Sequence, residues 1–270
     1  MSSPPFTPLT PEFEYADECL QHLMQRETRR QPFHCRSPQL EFRNDLIQRI
    51  QVLCVCLKLS TRVKYLSVYI LDYFMDNHVI NEDVLELIVM CSLAIAVKVE
   101  ECDRTLKYSH MFSDANQYSA EEVLSMEAMI LRFFDWLFLT PTAATYMDYF
   151  CAKCLPQLYA KKSVKFLVDK YLDKSLDLRF YSFSPSVIAA STLYYTRDKL
   201  NLEPVWGKDM QNITTYSTAQ LKDCVHELKK FDFLTKPSKR ITCLHKELDD
   251  NDSGYGDLET TSSQQLLTFG

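Results

Sequence analysis

Four charged side chains lie on helical faces that are otherwise apolar, and their positions restrict what they can do. Arg43, Asp72, Lys98 and Glu127 each have apolar residues at the three- and four-residue spacings that define one face of a helix. An unpaired buried ion is strongly destabilising, so each should meet an opposite charge. We predict that Arg43 and Asp72 form a structural clamp between the first two helices. For Lys98 and Glu127 two outcomes remain open: a pair inside the domain, or a pair at a surface that faces a partner protein.

Histidine and cysteine, the residues most often used for catalysis or metal binding, form no convincing set. The six histidines, at positions 22, 34, 78, 110, 226 and 245, are scattered, and nothing in the sequence assembles a nucleophile, a base and an orienting group. Cys151 and Cys154 form a CxxC, but neither a second CxxC nor an HxxxH accompanies it. We therefore expect packed, reduced thiols and neither a metal nor a cofactor.

The composition predicts an all-α chain. Only four of the 270 residues are glycine, with none before Gly207, and there is no proline between Pro38 and Pro141.

Scarce glycine excludes glycine-rich phosphate loops and the GxSxG nucleophile motif. A net charge of −6 provides no basic footprint for nucleic acid. The first residues lack the apolar core of a secretion signal. The longest apolar run, 84–97, is too short for a membrane span. We expect a protein of the nucleus and/or cytoplasm.

An internal repeat predicts two similar helical bundles in tandem. YSAEEVLSMEAMILRFFDW (118–136) parallels YSTAQLKDCVHELKKFDF (216–233), and each follows a helix rich in small residues, CSLAIAVK (91–98) or PSVIAASTL (185–193). We expect five helices in each bundle, with the small-residue helix at the centre. The predicted segments are a flexible 1–11, a helical lead-in 12–36, bundles at 37–139 and 140–234, and a disordered acidic tail 235–270.

Two helix starts can be predicted from capping residues. Asn81 should cap a buried helix over 82–98. Ser119 should cap a helix over 120–134, with Glu122 three residues later completing a capping box.

Five strings in register resemble the cyclin family across both of its boxes, from about residue 37 to 233. They are LSVYILDYFMD, AIAVKVEE, VLSMEAMILRFFDW, LTPTAATYMDYF, and SFSPSVIAAS before ITTYSTAQLKDCVHEL. CRSPQLEFR and LSVYILDYFMD resemble the cyclin J group most. The resemblance implies a regulatory subunit without a catalytic centre. Such a subunit would bind a cyclin-dependent kinase, of Cdk1/Cdk2 type, and hold its αC helix in the active position, contributing to cell-cycle control.

The resemblance also assigns roles to individual residues. Lys98 and Glu127 match the family's lysine and glutamate that hydrogen-bond the kinase backbone, and Arg43 and Asp72 match its internal clamp. The kinase-binding surface would then be formed by Lys98 and Glu127 with apolar neighbours on the exposed faces of helices 82–98 and 120–134, namely Ile95, Val99 and Leu131. Val99 stands where the family has phenylalanine, and the smaller side chain reduces the apolar contact area of this surface. The Glu100–Glu101 pair is expected to be a solvated helix end.

The family's substrate-docking groove is altered in this sequence. Where many cell-cycle cyclins have MRAILxxW, this chain has FRNDLIQR, with Asp45 for the isoleucine and Arg49 for the tryptophan. Phe42 and Leu46 stay apolar, and with Leu85 they would form a degenerate groove. We expect docking of Arg-x-Leu motifs to be impaired.

The terminal segments contain short regulatory motifs. Ser3, Thr7 and Thr10 each precede proline and are candidates for phosphorylation. Thr10-Pro11 with Glu14 resembles a TPxxE degron, and DSGYGD (252–257) partly resembles another, so the tails are candidates for recognition by a ubiquitin ligase.

A second class of function fits the same fold. A cyclin-fold adaptor or scaffold would bind peptides or transcription components without activating a kinase. The acidic net charge counts against a DNA-binding version, and the matched Lys98 and Glu127 count against a peptide-binding one.

Overall fold

A computed structural model describes residues 15–30, 33–101 and 118–234 of the chain. These residues form α-helices joined by short connections and contain no β-strand, which confirms the all-α prediction. The helices are α1 (Ala16–Glu27), α2 (Arg43–Cys56), α3 (Thr61–Asn77), α4 (Leu85–Glu100), α5 (Ala120–Phe133), α6 (Ala143–Cys154), α7 (Lys162–Lys174), α8 (Pro185–Lys199), α9 (Lys208–Thr214) and α10 (Thr218–Leu234). Short 3-10 turns cover Leu40–Phe42, Glu82–Val84 and Leu178–Ser182.

The first bundle is built around α4. This helix packs against α2, α3 and α5, and its residues 87–97 are all buried. Because no charged residue occurs in that stretch, the helix can be enclosed on every side. The prediction of a small-residue helix at the centre is confirmed here.

Helix α4 begins later than the sequence predicted. Residues Glu82–Val84 form a 3-10 turn, and the α-helix starts at Leu85. The side chain of Asn81 makes no capping hydrogen bond, so the predicted cap at this residue is wrong. Asn81 instead has an extended backbone in front of the tighter turn.

The second bundle repeats this arrangement. Helix α8 packs against α6 and α7, and its small residues Ala189, Ala190 and Ser191 are fully buried. Pro185 occupies the first turn of α8, where its missing N–H has no helical partner to lose. The prediction of a central small-residue helix therefore holds in both bundles.

The repeated strings form α5 and α10, and both helices begin with the same local chemistry. Ser119 Oγ accepts a hydrogen bond from Glu122 N at 3.2 Å, and Glu122 Oε2 accepts from Ser119 N at 2.7 Å. This confirms the predicted capping box. In the second copy, Ser217 N donates to Gln220 Oε1 at 2.8 Å, so an amide performs the role of the glutamate.

Some predictions concern residues outside the described ranges. The second bundle has five described helices, α6–α10, whereas the first has four, α2–α5, and residues 102–117 between α4 and α5 are not described. The segments 1–11 and 235–270 also lie outside the described ranges, and with them the phosphorylation candidates Ser3, Thr7 and Thr10 and both degron-like motifs. The boundaries at 37–139 and 140–234 stay predictions. In the described part of the chain, no helix has the length and apolarity that crossing a bilayer requires.

Helix α1 precedes the first bundle in the chain but bonds to the second. Tyr149 donates a hydrogen bond to Asp17 Oδ1, and Lys153 Nζ lies 3.5 Å from the same oxygen. At the other end of α1, Glu27 accepts hydrogen bonds from the backbone N–H and the hydroxyl of Ser186. The lead-in helix is therefore fastened to α6 and to the start of α8.

Candidate functional site

The structure brings Arg43 and Asp72 together in a buried ion pair. Arg43 Nε lies 2.8 Å from Asp72 Oδ1, and Arg43 Nη2 lies 2.9 Å from Asp72 Oδ2. The two side chains are 2% and 1% exposed, so this is a bidentate pair shielded from water. Burial alone would lower the pKa of Arg43, but the charge and hydrogen bonds of Asp72 raise it above its ordinary value. The pair joins α2 to α3, as the sequence predicted.

The same pair reaches the second bundle, which the sequence did not predict. Arg43 Nη2 also donates to the Leu176 carbonyl at 2.8 Å, and the Tyr181 hydroxyl donates to Asp72 Oδ2. Burial raises the pKa of Tyr181, so the phenol keeps the proton that it donates. Arg43 and Asp72 therefore connect the two bundles and also join α2 to α3.

Lys98 and Glu127 also form an ion pair, and this pair lies at the surface. Lys98 Nζ contacts Glu127 Oε1, and the side chains are 57% and 9% exposed respectively. Lys98 occupies the last turn of α4, where the partial negative charge of the helix terminus favours a cation. Of the two outcomes that the sequence left open, the structure shows the surface position, because the long side chain of Lys98 extends from the apolar helix into solvent.

The outer face of α5 carries exposed apolar residues. Leu124 is 63% exposed and Met129 is 48% exposed. They line a shallow groove of about 660 Å³ together with Glu121, Ser125, Ala128 and Arg132. Since Leu124 precedes Glu127 by three positions, it lies on the same face of α5 as the ion pair. The site thus combines a solvent-accessible ammonium with an apolar helix face.

The other residues predicted for this surface differ in accessibility. Val99 and Leu131 are half-buried and pack against the core. Ile95 is 1% exposed and belongs to the core itself, so it presents no surface to a partner. The expected contribution from an exposed face of α4 is wrong for the same reason, because residues 87–97 are enclosed. The apolar face is provided by α5.

The acidic end of α4 is not simply solvated. Glu100 forms an ion pair with Arg62 at 2.7 Å, and Glu101 Oε1 accepts a hydrogen bond from Ser60 N at 2.8 Å. Both partners lie at the start of α3, where unpaired N–H groups and the helix dipole favour a carboxylate. The expectation of a free helix end is therefore wrong, and the two glutamates fix the end of α4 against α3.

The altered docking groove contains an ion pair. Arg49 Nε lies 2.8 Å from Glu86 Oε1, and both side chains are about one-third exposed, at 35% and 29%. Leu46 and Leu85 are buried, at 8% and 5% exposure, and Phe42 packs against the core. Of the predicted groove residues, Leu46 and Leu85 therefore offer little surface to a ligand.

The CxxC cysteines are packed in the core of the second bundle. Cys151 and Cys154 are free thiols and both are buried. Desolvation raises the pKa of Cys154 to about 12 and also raises that of Cys151, so both thiols stay protonated at neutral pH. Among the described residues, no group of three or more histidine, cysteine, aspartate or glutamate side chains is placed to hold a metal ion.

Comparison with known sequences gives a family match over both bundles. A family model described as "Cyclin, N-terminal domain" matches residues 18–138, and one described as "Cyclin, C-terminal domain" matches residues 141–259. Among individual relatives, Cyclin-A2-3 of Arabidopsis thaliana is 32% identical over 66% of this chain and 40% of its own length. The Cyclin-J-like protein of Mus musculus is 28% identical over 76% of this chain and 59% of its own length. Cyclin-J of Xenopus laevis is 27% identical over 77% and 59%.

The fold has a counterpart among solved structures. A viral cyclin from herpesvirus saimiri superposes with a TM-score of 0.66, covering 78% of this chain and 95% of the viral chain at 20% identity. At that identity the likeness shows the fold alone. This chain spans about two-fifths to three-fifths of the length of the cellular relatives described above. Because the two domain models together match most of the chain, it belongs to the cyclin family of regulatory proteins.

Proposed function

We propose that this chain binds a cyclin-dependent kinase of Cdk1/Cdk2 type and activates it by holding the kinase αC helix in its active position. The observation that carries the proposal is the Lys98–Glu127 pair, with Lys98 57% exposed beside the apolar face of α5. The matched lysine and glutamate of the family are the residues that meet the kinase backbone. A lysine ammonium has three N–H donors, so it can serve a carboxylate and a carbonyl together.

The energy that activation requires has to come from more than one contact. Moving a kinase from a 1:99 to a 99:1 ratio of active to inactive conformations requires about 5.5 kcal/mol of differential affinity. One charge-assisted hydrogen bond contributes about 1.5–3 kcal/mol. The remaining ~3 kcal/mol corresponds to ~120 Å² of buried apolar surface. Leu124, which is 63% exposed and precedes Glu127 by three positions, is placed to contribute part of that surface.

The direct test is the affinity of single variants for a purified kinase. We expect Lys98→Ala to weaken binding to a Cdk2-type kinase roughly tenfold, as for a lost charged hydrogen bond. Lys222→Ala removes an exposed lysine from α10 in the second bundle and should leave the affinity unchanged. Isothermal calorimetry supplies the dissociation constants, and circular dichroism checks that each variant keeps its helical content.

A second measurement separates activation from binding. Adding the chain to the same kinase should raise its activity on histone, and Lys98→Ala should require proportionally more protein for the same activity. If the Lys98 and Lys222 variants bind the kinase with equal affinity, Lys98 does not contribute to the interface. Binding without any gain in kinase activity would favour the adaptor function instead.

We also propose that the chain acts in the nucleus and/or cytoplasm and that the motif containing Thr10 marks it for a ubiquitin ligase. Both parts can be tested in cells. Fluorescence of a tagged chain gives its location, and a chase experiment compares the half-life of the full chain with that of a chain lacking residues 1–14. An unchanged half-life would contradict the role of Thr10.

A further inference from the structure

A basic groove of about 700 Å³ lies between α1, the C-terminal half of α3 and the segment that follows α5. Its lining includes the basic residues and histidines His22, Arg26, Arg29, Arg30 and His34 and the acidic residue Asp135. Three guanidinium groups therefore face one carboxylate. Since the whole chain carries a net charge of −6, this groove is a local reversal of charge, and such a concave patch concentrates anions.

Helix α1 and two tyrosines arrange the arginines. Arg26 lies in the last turn of α1, and Arg29 and Arg30 follow just after this helix ends at Glu27, so all three line the same groove. The Arg30 guanidinium carbon lies 5.0 Å from the centre of the Tyr69 ring and 5.5 Å from that of Tyr73. Arg30 Nε also lies 3.3 Å from the Tyr73 hydroxyl. Stacking of this kind orders the side chain before any ligand arrives.

The nearest carboxylates are already engaged. Glu27 accepts both of its hydrogen bonds from Ser186. Asp76 accepts from the backbone N–H groups of His34 and Arg36, at 2.8 and 2.7 Å. Across residues 15–30, 33–101 and 118–234, no carboxylate lies within ion-pair distance of Arg26 or Arg29. Arg26 and Arg29 therefore supply the positive charge that the described residues leave without an ion pair, whereas Glu27 acts electrostatically on Arg30 and Asp76 lies 3.5 Å from His34.

We propose that this groove binds a phosphorylated segment of a partner protein. The planar fork of arginine matches the oxygens of a phosphate, and a phosphoserine brings up to two negative charges to one point. The cationic region spans little more than one helical turn, which suits a single dianion better than an extended polyanion. On the opposite wall, Phe133, Phe134 and the 62% exposed Leu137 offer contact to an apolar residue beside the phosphate. The groove shares no lining residue with the Lys98 site, so substitutions at the two sites can be tested separately.

The test uses the full chain and two fluorescent peptide libraries with randomised flanks, one centred on phosphoserine and one on serine. Fluorescence anisotropy measures the affinity of each. We expect the phosphoserine library to bind at least about tenfold more tightly. Arg26→Glu and Arg29→Glu should each abolish that preference. Lys222→Glu, an exposed site on α10 with the same change of charge, should preserve it.

Several outcomes would overturn the proposal. The first is equal binding of the two libraries. The second is a loss of the phosphoserine preference in Lys222→Glu as large as that in the arginine variants. The third is binding of single-stranded DNA that is tighter than binding of the phosphoserine library and that Arg29→Glu abolishes. The last result would assign the groove to nucleic acid. Thermal unfolding is measured for each variant as a check of stability. If a charge reversal destabilises α1, Arg29→Gln removes the positive charge without introducing a negative one.

Discussion

Replacing Arg43 by alanine tests whether one buried pair holds both bundles. The side chain donates two hydrogen bonds to Asp72 and one to the Leu176 carbonyl, and it is 2% exposed. The substitution removes all three donors. It leaves the Asp72 carboxylate buried with only the Tyr181 hydroxyl, among the partners described above, still donating to it.

The expected loss of stability follows from these contacts. Removing one partner of a buried ion pair costs about 3–5 kcal/mol, and a carbonyl that loses its donor costs about 1–3 kcal/mol. Because the two losses occur in one network, they do not add fully. We expect Arg43→Ala to lower the free energy of unfolding by about 4–6 kcal/mol. This is a large part of the 5–15 kcal/mol typical of a folded protein, given as a rough range.

A matched control lies six residues away on the same helix. Arg49 also forms an arginine–carboxylate pair through its Nε, with Glu86, but both side chains are about one-third exposed. Exposed pairs contribute about 0–1 kcal/mol, so Arg49→Ala should change the unfolding free energy little. Urea unfolding followed by circular dichroism compares the two variants. If Arg43→Ala costs no more than Arg49→Ala, the buried network does not stabilise the fold as we argue.

Three further predictions follow from local contacts. Ser119→Ala removes the cap of α5 and should cost about 1 kcal/mol in urea unfolding; a loss as small as experimental error would contradict the capping box. Burial raises the pKa of Glu27 above its usual 4.5, although hydrogen bonds from Ser186 partly offset this. The folded chain therefore binds this proton more tightly than the unfolded chain, so wild-type stability relative to Glu27→Gln should fall as pH rises from 4.5 through the raised pKa and be constant above it. A pH series of unfolding curves checks the sign, and a difference that does not vary with pH would refute it. Leu124→Glu should weaken kinase binding about tenfold by placing a charge on the apolar face of α5. Val79→Glu, at a site 86% exposed on the surface, is its control, and equal affinities would exclude Leu124 from the interface.

The sequence was sufficient for features that depend on local spacing. Scarce glycine and the apolar run before Lys98 predict a helical bundle with an enclosed central helix. Both signals can be read from consecutive residues, without knowledge of contacts between distant segments. The capping box at Ser119 could also be predicted, since its two residues lie three positions apart. The pairs of Arg43 with Asp72 and of Lys98 with Glu127 could be inferred because a charge on an apolar stripe requires a partner, and few partners were available.

Contacts between distant segments could not be predicted in this way. Arg43 and Leu176 are 133 positions apart. Because every residue has a backbone carbonyl, the residue type does not indicate which carbonyl accepts the hydrogen bond. The basic groove was missed because Tyr69 and Tyr73, which orient Arg30, belong to a different helix. The error at Asn81 has a local cause, since a 3-10 turn and the first turn of an α-helix accept similar residues. The sequence could not decide whether Lys98 is exposed, because spacing describes the direction of a Cα–Cβ bond and not the reach of a lysine.

The position of α1 affects how the protein can be divided for experiments. A fragment starting near residue 140 would lack the carboxylates of Asp17 and Glu27, leaving Tyr149 and Ser186 without those acceptors. A fragment ending near residue 139 would keep α1 but remove the surface to which it bonds. Either half would be expected to be less stable alone than within the whole chain. A stable second half would need residues 15–30 supplied as a separate peptide or fused through a long linker.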